Sequence, residues 1–236
     1  EDNGRGDLFF NIAPKGRFTA RVIAKDDGVL AGVKVALEIF KYADPTSTIE
    51  VFLEDGTVVK KGDIAFIVEC NAQALLRAER LALNTMQRMS GVATMTKRYT
   101  DEVKDLPVKI LDTRKTTPLL RFLEKWAVRI GGCSNYRDGL YDWIMIKDNH
   151  VDASGGIRQA VEQVHEYLAN NHLDLGITVE VRNFEEMNEV LEVGGITRIM
   201  LDNFTVEDMR RAVKIINQRF EVEASGGITL ETVRPI

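Results

Sequence analysis

The chain has 236 residues, 44% of them hydrophobic and 28% charged, with a formal net charge of −5 at pH 7. This is the make-up of a globular protein with room for one domain plus a smaller one. The acidic balance argues against a general nucleic-acid binder, no apolar run reaches the roughly 20 residues that cross a bilayer, and two cysteines, Cys70 and Cys133, are too few for a disulfide framework, so reduced thiols in a cytoplasmic protein are expected.

The opening "EDNGRGD" shows no signal peptide. With the closing "ETVRPI" it reads as the cut end of a longer chain, and the adhesion-like Arg5–Asp7 triplet is then coincidence. Up to about Asp105 the pattern is mixed. "TARVIAKDDGVLAG" reads as a strand entering a glycine turn, "VKVALEIFKYA" as an amphipathic helix, and "STIEVFLEDGTVVKKGDIAFIVEC" as strands joined by Asp-Gly and Lys-Gly turns. The "DGTVVKKGD" hairpin faintly resembles a biotinyl or lipoyl carrier turn, but paired lysines such as Lys60 and Lys61 are ordinary in a solvated turn. A long helix follows over about 71–103, free of Pro, with Leu76, Leu83, Met86 and Met89 expected in the core.

From Pro107 the pattern becomes regular. Five short apolar strands, "VKIL", "WIMIK", "ITVEV", "RIML" and "FEVEA", alternate with amphipathic helices, which implies a parallel sheet with right-handed crossovers. Polar groups end every strand: Asp112 to Lys115, Lys147 to His150, Glu180 and Arg182, Asp202 and Asn203, and Ser225 to Gly227. An open sheet concentrates its ligand crevice at one switch point, whereas a barrel brings all strand ends to one mouth. The expectation is therefore an N-terminal α/β sandwich domain over 1–105, then an incomplete (β/α) barrel over 106–236, with at least one or two further βα units missing beyond Ile236.

Charge is focused in the chain. Between Pro107 and Arg137 seven bases face two acids, a local balance of +5, which suits an anion site. Arg121 and Lys125, at helical i, i+4 spacing, are expected to be solvated, and Arg129 is a weaker site candidate. Arg114, Lys115, Arg137 and Lys147 are the site cations, since guanidinium forks and ammonium groups recognise carboxylates and phosphates. Glu180 and Asp202, each near the end of an apolar strand, suit magnesium, an acid/base pair or plain ion pairs, with magnesium favoured beside so many cations. "ASGGI" at Ala224–Ile228 suits a phosphate held on backbone N–H groups. Its other copy, Ala153–Ile157, reads as a turn and helix start. His165 and His172 look like surface residues, and neither zinc spacing nor a Ser-His-Asp arrangement is visible.

Taken in series, "AERLALNTMQRMSGVAT", "ILDTRKTTP", "EKWAVRIGG", "IMIKDNH", "EVR", "IMLDN" and "EASGGI" resemble the quinolinate phosphoribosyltransferase family over nearly the whole chain. The resemblance implies a pentosyltransferase of NAD biosynthesis. Quinolinate attacks the anomeric carbon of phosphoribosyl pyrophosphate, pyrophosphate leaves, and loss of CO2 gives nicotinate mononucleotide. It implies a homodimer with shared sites, and Mg2+ as cofactor at Glu180 and Asp202. Arg114 and Arg137 would clamp the quinolinate carboxylates beside Lys147, with Arg80 entering from the neighbouring subunit. Lys115 and Lys147 would hold phosphates, Ser225, Gly226 and Gly227 would bind phosphate, and Thr113 would contribute at backbone level. Lys115, Lys147, Glu180 and Asp202 are the catalytic set that this implies. The chain departs from the family at Tyr136, where Asn-His-Arg is usual, and in its C-terminal cut. Two alternatives stay open: a molybdenum-transport relative acting on another heteroaromatic acid, and a non-catalytic phosphosugar-binding protein.

Overall fold

The computed structural model describes residues 6–10 and 12–236, so Arg5 of the adhesion-like triplet lies outside the described residues. Two compact units emerge, one ending at Tyr136 and the other running Arg137–Ile236.

In the first unit, β1 (Arg17–Ile23), β5 (Ile64–Asn71) and β3 (Thr48–Val51) form an antiparallel sheet in the order β1-β5-β3, and β2 (Gly28–Val29) pairs with β4 (Val58–Val59) in a small ribbon. Helices α1 (Val33–Ala43), α2 (Ala72–Val103) and α3 (Arg121–Ile130) complete it. Phe40 of α1 meets Phe66 of β5 edge to face, 6.1 Å between centroids, in a core that includes Val33, Ala36, Val68 and Cys70. Asn71 caps α2 by accepting from Gln73 N at 2.9 Å, as a short polar side chain does at a helix start. The 32 residues of α2 make a rod of about 48 Å.

The seam of α2 differs from the expected one. Met86 and Met89 are buried, but Leu76 is exposed and Leu83 half-buried. Ala78, Ala82 and Ala93 share the seam with the methionines, because small side chains let neighbouring helices approach. At Gly131, after α3, an added Cβ would lie 2.6 Å from Ala93 O of α2, so no larger residue fits. Lys60 of the carrier-like hairpin is tied to Asp27 at 2.8 Å in an exposed pair. The expected strand at 108–111 is reduced to a single parallel bridge, Leu111 to Ser134. Its hydrogen bonds go to one loop residue, Ser134 N to Ile110 O at 3.0 Å and Asp112 N to Ser134 O at 3.2 Å, which leaves no ladder to extend.

The second unit holds β6 (Ile144–Ile146), β7 (Ile177–Val181), β8 (Arg198–Asp202) and β9 (Glu221–Ser225) in a parallel sheet of order β6-β7-β8-β9. Every strand lies beside its sequence neighbour with no reversal, which is the order of a barrel arc and not of a doubly wound sheet. The helices are α4 (Asp148–Ser154), α5 (Ile157–Asn170), α6 (Phe184–Val193) and α7 (Val206–Ile216). One sheet face, including Val179, Val181, Ile199 and Leu201, packs with Val161, Met187, Val190 and Ile216 of the helices.

Because side chains alternate along a strand, register assigns the opposite face to rows. Met145, Thr178, Arg198 and Glu221 are aligned, then Glu180, Met200 and Glu223, then Asp202 and Ser225. The tip after β6 differs from expectation. Lys147 starts α4 at once, its N–H donating to His150 Nδ1 at 3.0 Å. The "ASGGI" at Ala153–Ile157 ends α4 and opens α5 through Gly155 and Gly156, as expected. His165 is partly exposed, with Nε2 2.7 Å from Gly195 O, and His172 is exposed.

Candidate functional site

The candidate residues fall into two groups, one in each unit. In the first unit the loop after the Leu111 bridge is held by side chains. The Asp112 carboxylate takes Lys125 Nζ at 2.5 Å, Tyr136 N at 2.8 Å and Asn135 Nδ2. The ion pair is buried, with side chains 5% and 8% exposed. Thr113 Oγ1 accepts from Lys115 N at 3.1 Å, and Thr116 Oγ1 from Arg121 Nε at 3.2 Å. Thr117 accepts from Arg88 Nη2 at 2.9 Å and donates its N–H to Glu124 Oε2 at 3.0 Å. Burial alone would push the Glu124 carboxyl up, but hydrogen bonds from Thr117 and Arg88 outweigh it and hold it below its ordinary range.

The acid and the three hydroxyls of "LDTRKTTP" therefore serve the loop itself. Two cations expected in solvent belong to the same network: Lys125 is buried and Arg121 half-buried against the loop. An isolated helix pattern cannot show which exposed-looking positions another segment covers. Arg114 is different. Its Nε is buried without a hydrogen-bond partner, and its guanidinium pairs with no carboxylate among the described residues. Lys115 is exposed. A buried donor left open in an otherwise satisfied loop calls for an absent acceptor. Thr113 is exposed, Tyr136 half-buried, and Arg80 exposed on α2.

In the second unit the carboxyl ends of the strands carry the rest. Lys147 Nζ pairs with Glu180 Oε2 at 2.6 Å. Asp202 Oδ2 accepts from Asn203 Nδ2 at 2.7 Å. Asn203 has φ 55°, and its N–H donates to Ser225 O at 2.8 Å. An added Cβ on Gly226 would stand 2.2 Å from Asn203 Oδ1, and φ there is 96°, so the close approach of the two loops requires glycine. Gly227 follows with φ 61° and open space where a Cβ would be. Arg137 donates Nη1 to Trp143 O at 3.3 Å.

The sequence reading missed the row beneath. Arg198 is gripped by Glu221 at 2.7 Å and Glu223 at 3.0 Å and lies over Trp143, 5.4 Å from the ring centroid. Trp143 Nε1 donates to Thr178 Oγ1 at 2.9 Å. Burial pushes the Glu223 carboxyl up in spite of Arg198. Period-two charges in "RIMLD" and "EVEAS" were the available signal. No group of three His, Cys, Asp or Glu side chains suited to a metal occurs among the described residues.

Residues 7–90 match the family model of the quinolinate phosphoribosyl transferase N-terminal domain, and residues 92–236 that of its C-terminal domain. The chain belongs to the quinolinate phosphoribosyl transferase family. Among its relatives, quinolinate phosphoribosyltransferase [decarboxylating] 2, mitochondrial, of Nicotiana glauca is 47% identical over 231 residues, 92% of this chain and 65% of that protein. The chloroplastic nicotinate-nucleotide pyrophosphorylase [carboxylating] of Arabidopsis thaliana is 48% identical, over 92% of this chain and 66% of that protein. A crystal structure of NadC from Streptococcus pyogenes superposes with a TM-score of 0.90 at 36% identity, over 97% of this chain and 80% of that one. The chain thus spans about two thirds of the length of its plant relatives. No helix among the described residues is long and apolar enough to cross a membrane.

Proposed function

We propose that the protein transfers the phosphoribosyl group of phosphoribosyl pyrophosphate to quinolinate and releases CO2, forming nicotinate mononucleotide and pyrophosphate. The observation that carries this reading is Arg114, whose buried Nε has no partner in a loop where Arg88, Arg121 and Lys125 are already engaged. Family membership supports reading the missing acceptor as a quinolinate carboxylate.

In the reading, Arg114 and Arg137 hold the pyridine carboxylates, and Tyr136 orients the ring. Lys115, Lys147, Ser225, Gly226 and Gly227 receive phosphate oxygens. The pyridine nitrogen forms a bond to the anomeric carbon as the carbon–oxygen bond to pyrophosphate breaks. The carbon that then loses CO2 takes up a proton. Both substrates are polyanions, so the protein mostly positions them and neutralises charge. Lys147, paired with Glu180 in the free protein, exchanges that partner for a phosphate oxygen.

Glu180 and Asp202 lie on one sheet face in adjacent strands, two residues apart in register. Two carboxylates on one face suit Mg2+ that keeps waters and takes its other ligands from a substrate diphosphate, not an all-protein cage. When bound there it would neutralise charge on the departing pyrophosphate. A homodimer extends the reading, with Arg80 exposed on α2 and available to a neighbouring subunit. A reducing compartment, the cytoplasm being the one expected, agrees with two free thiols.

The test is pyrophosphate and CO2 release from quinolinate and phosphoribosyl pyrophosphate with Mg2+. Arg114→Ala should lower kcat/KM for quinolinate by about 100-fold or more, the scale of a lost charge-assisted bidentate contact. Undiminished turnover in that variant overturns the reading. Quinolinate binding without pyrophosphate release favours a binding protein instead, and release with a different heteroaromatic acid favours the alternative specificity suggested by Tyr136.

A further inference from the structure

We infer that the buried Asp112–Lys125 pair is a positioning device that sets the segment 113–115 and Tyr136 in register with each other. The inference rests on the reading of Arg114, Lys115 and Tyr136 as substrate groups.

The geometry is specific. Both backbone polar groups of Tyr136 are taken by this pair, its N–H by Asp112 at 2.8 Å and its carbonyl by Lys125 Nζ at 3.2 Å. Asn135 Nδ2 bonds both to Asp112 and, at 2.9 Å, to the Lys125 carbonyl. Asp112 is the residue immediately before Thr113, Arg114 and Lys115. Its own N–H is held by Ser134 at 3.2 Å. Two segments separated by more than twenty residues thus meet at one carboxylate.

Neither segment has a strand or helix to fix it. Leu111 and Ser134 make only an isolated bridge, and 112–120 contains no helix or extended ladder. A buried ion pair is seldom the most stable choice for a core position, because well-packed apolar residues serve as well or better. What the charged pair supplies is direction: one carboxylate with several donors at defined angles fixes backbone that packing alone would leave loose. The unsatisfied Nε of Arg114 lies two residues after Asp112, on backbone whose carbonyl also accepts from Arg121 Nη2 at 3.4 Å.

The test is the double variant Asp112→Asn with Lys125→Met. It leaves no uncompensated charge in the interior but removes the link to the Tyr136 carbonyl and most acceptor capacity at position 112. Amide hydrogen exchange at 113–116 and 136–137 should quicken at least tenfold relative to a Lys97→Met control on α2, while α1 and β5 keep their protection. The KM for quinolinate should rise about tenfold, and that for phosphoribosyl pyrophosphate, which in this reading Lys115 of the same segment contacts, by about threefold. Asn135→Ala, a milder change with the charges intact, should shift exchange the same way by about threefold, and it serves if the double variant does not fold. Unchanged exchange in both segments overturns the inference, as does an unchanged quinolinate KM beside loosened segments. A parent protein that fails to turn over quinolinate, alongside quickened exchange in the variants, overturns the functional reading and leaves the positioning role standing.

Discussion

The loop following Leu111 and the polar face of the four-stranded sheet present candidate groups in opposite ways. On the sheet, strand periodicity decides where a side chain goes. Glu180, Met200 and Glu223 share a row because register places them there, and replacing one leaves the others in place. In the loop, position depends on side chains bonding to distant backbone. Asp112, Glu124 and Lys125 are 8%, 9% and 5% exposed at the side chain, and they supply the loop's ties to Tyr136, Asn135 and Thr117. A regular scaffold tolerates change at its functional positions, whereas an irregular one transmits it.

The sharpest way to break that comparison is to remove one charge from each region. Asp112→Ala strands the Lys125 ammonium in the interior and should cost about 3–5 kcal/mol, seen as a large fall in denaturation midpoint. Lys147→Ala removes a pair whose lysine is 42% exposed and should cost less than about 1 kcal/mol while still abolishing most turnover. Equal stability losses would erase the distinction.

Gly226→Ala comes next. Its left-handed φ and contact with Asn203 predict a loss of about 2 kcal/mol, the scale of strain at a special backbone position, and a weaker affinity for phosphate. Calorimetric unfolding and a phosphate titration would check both.

Buried Glu124 and half-buried Glu223 should then show opposite pH responses. Glu124 has a lowered folded pKa, so it stabilises above the unfolded value of about 4.3, and that contribution is lost as pH falls through its lower folded pKa. Glu223 has a raised folded pKa. Its contribution is present below about 4.3 and is lost as pH rises through the folded value. Stability measured against pH for Glu124→Gln should converge with the parent in acid. For Glu223→Gln the gap should shift in favour of the variant as pH rises. Curves that move in the same direction would refute this.

The smallest effect concerns Leu119, fully exposed with φ 65°. Leu119→Gly removes left-handed strain but adds unfolded-chain entropy, for a net gain of about 0.5 kcal/mol, or about 1–2 °C in Tm. A fall in Tm would show that the leucine side chain has a stabilising contact in solution.

Much of the fold was legible because it is periodic. The helices over 33–43, 184–193 and 206–216 and four of the five strands follow from spacing that any reader can count. The Asp-Gly and Lys-Gly turns follow from residues that accept positive φ, as Gly56 and Gly62 do. The failures share one cause. The strand at 108–111, the seam of α2 and the solvated status of Arg121 and Lys125 all depended on what another segment would cover.

By itself the sequence determined the βα alternation, the glycines at tight turns and the polar residues closing each strand of the sheet, because those properties are local and repeat with the backbone period. Only the tertiary structure decided that Lys125 is buried, that Lys147 is paired with Glu180 and that Arg114 keeps an unsatisfied donor, because pairing and burial are set between residues that the chain order keeps apart.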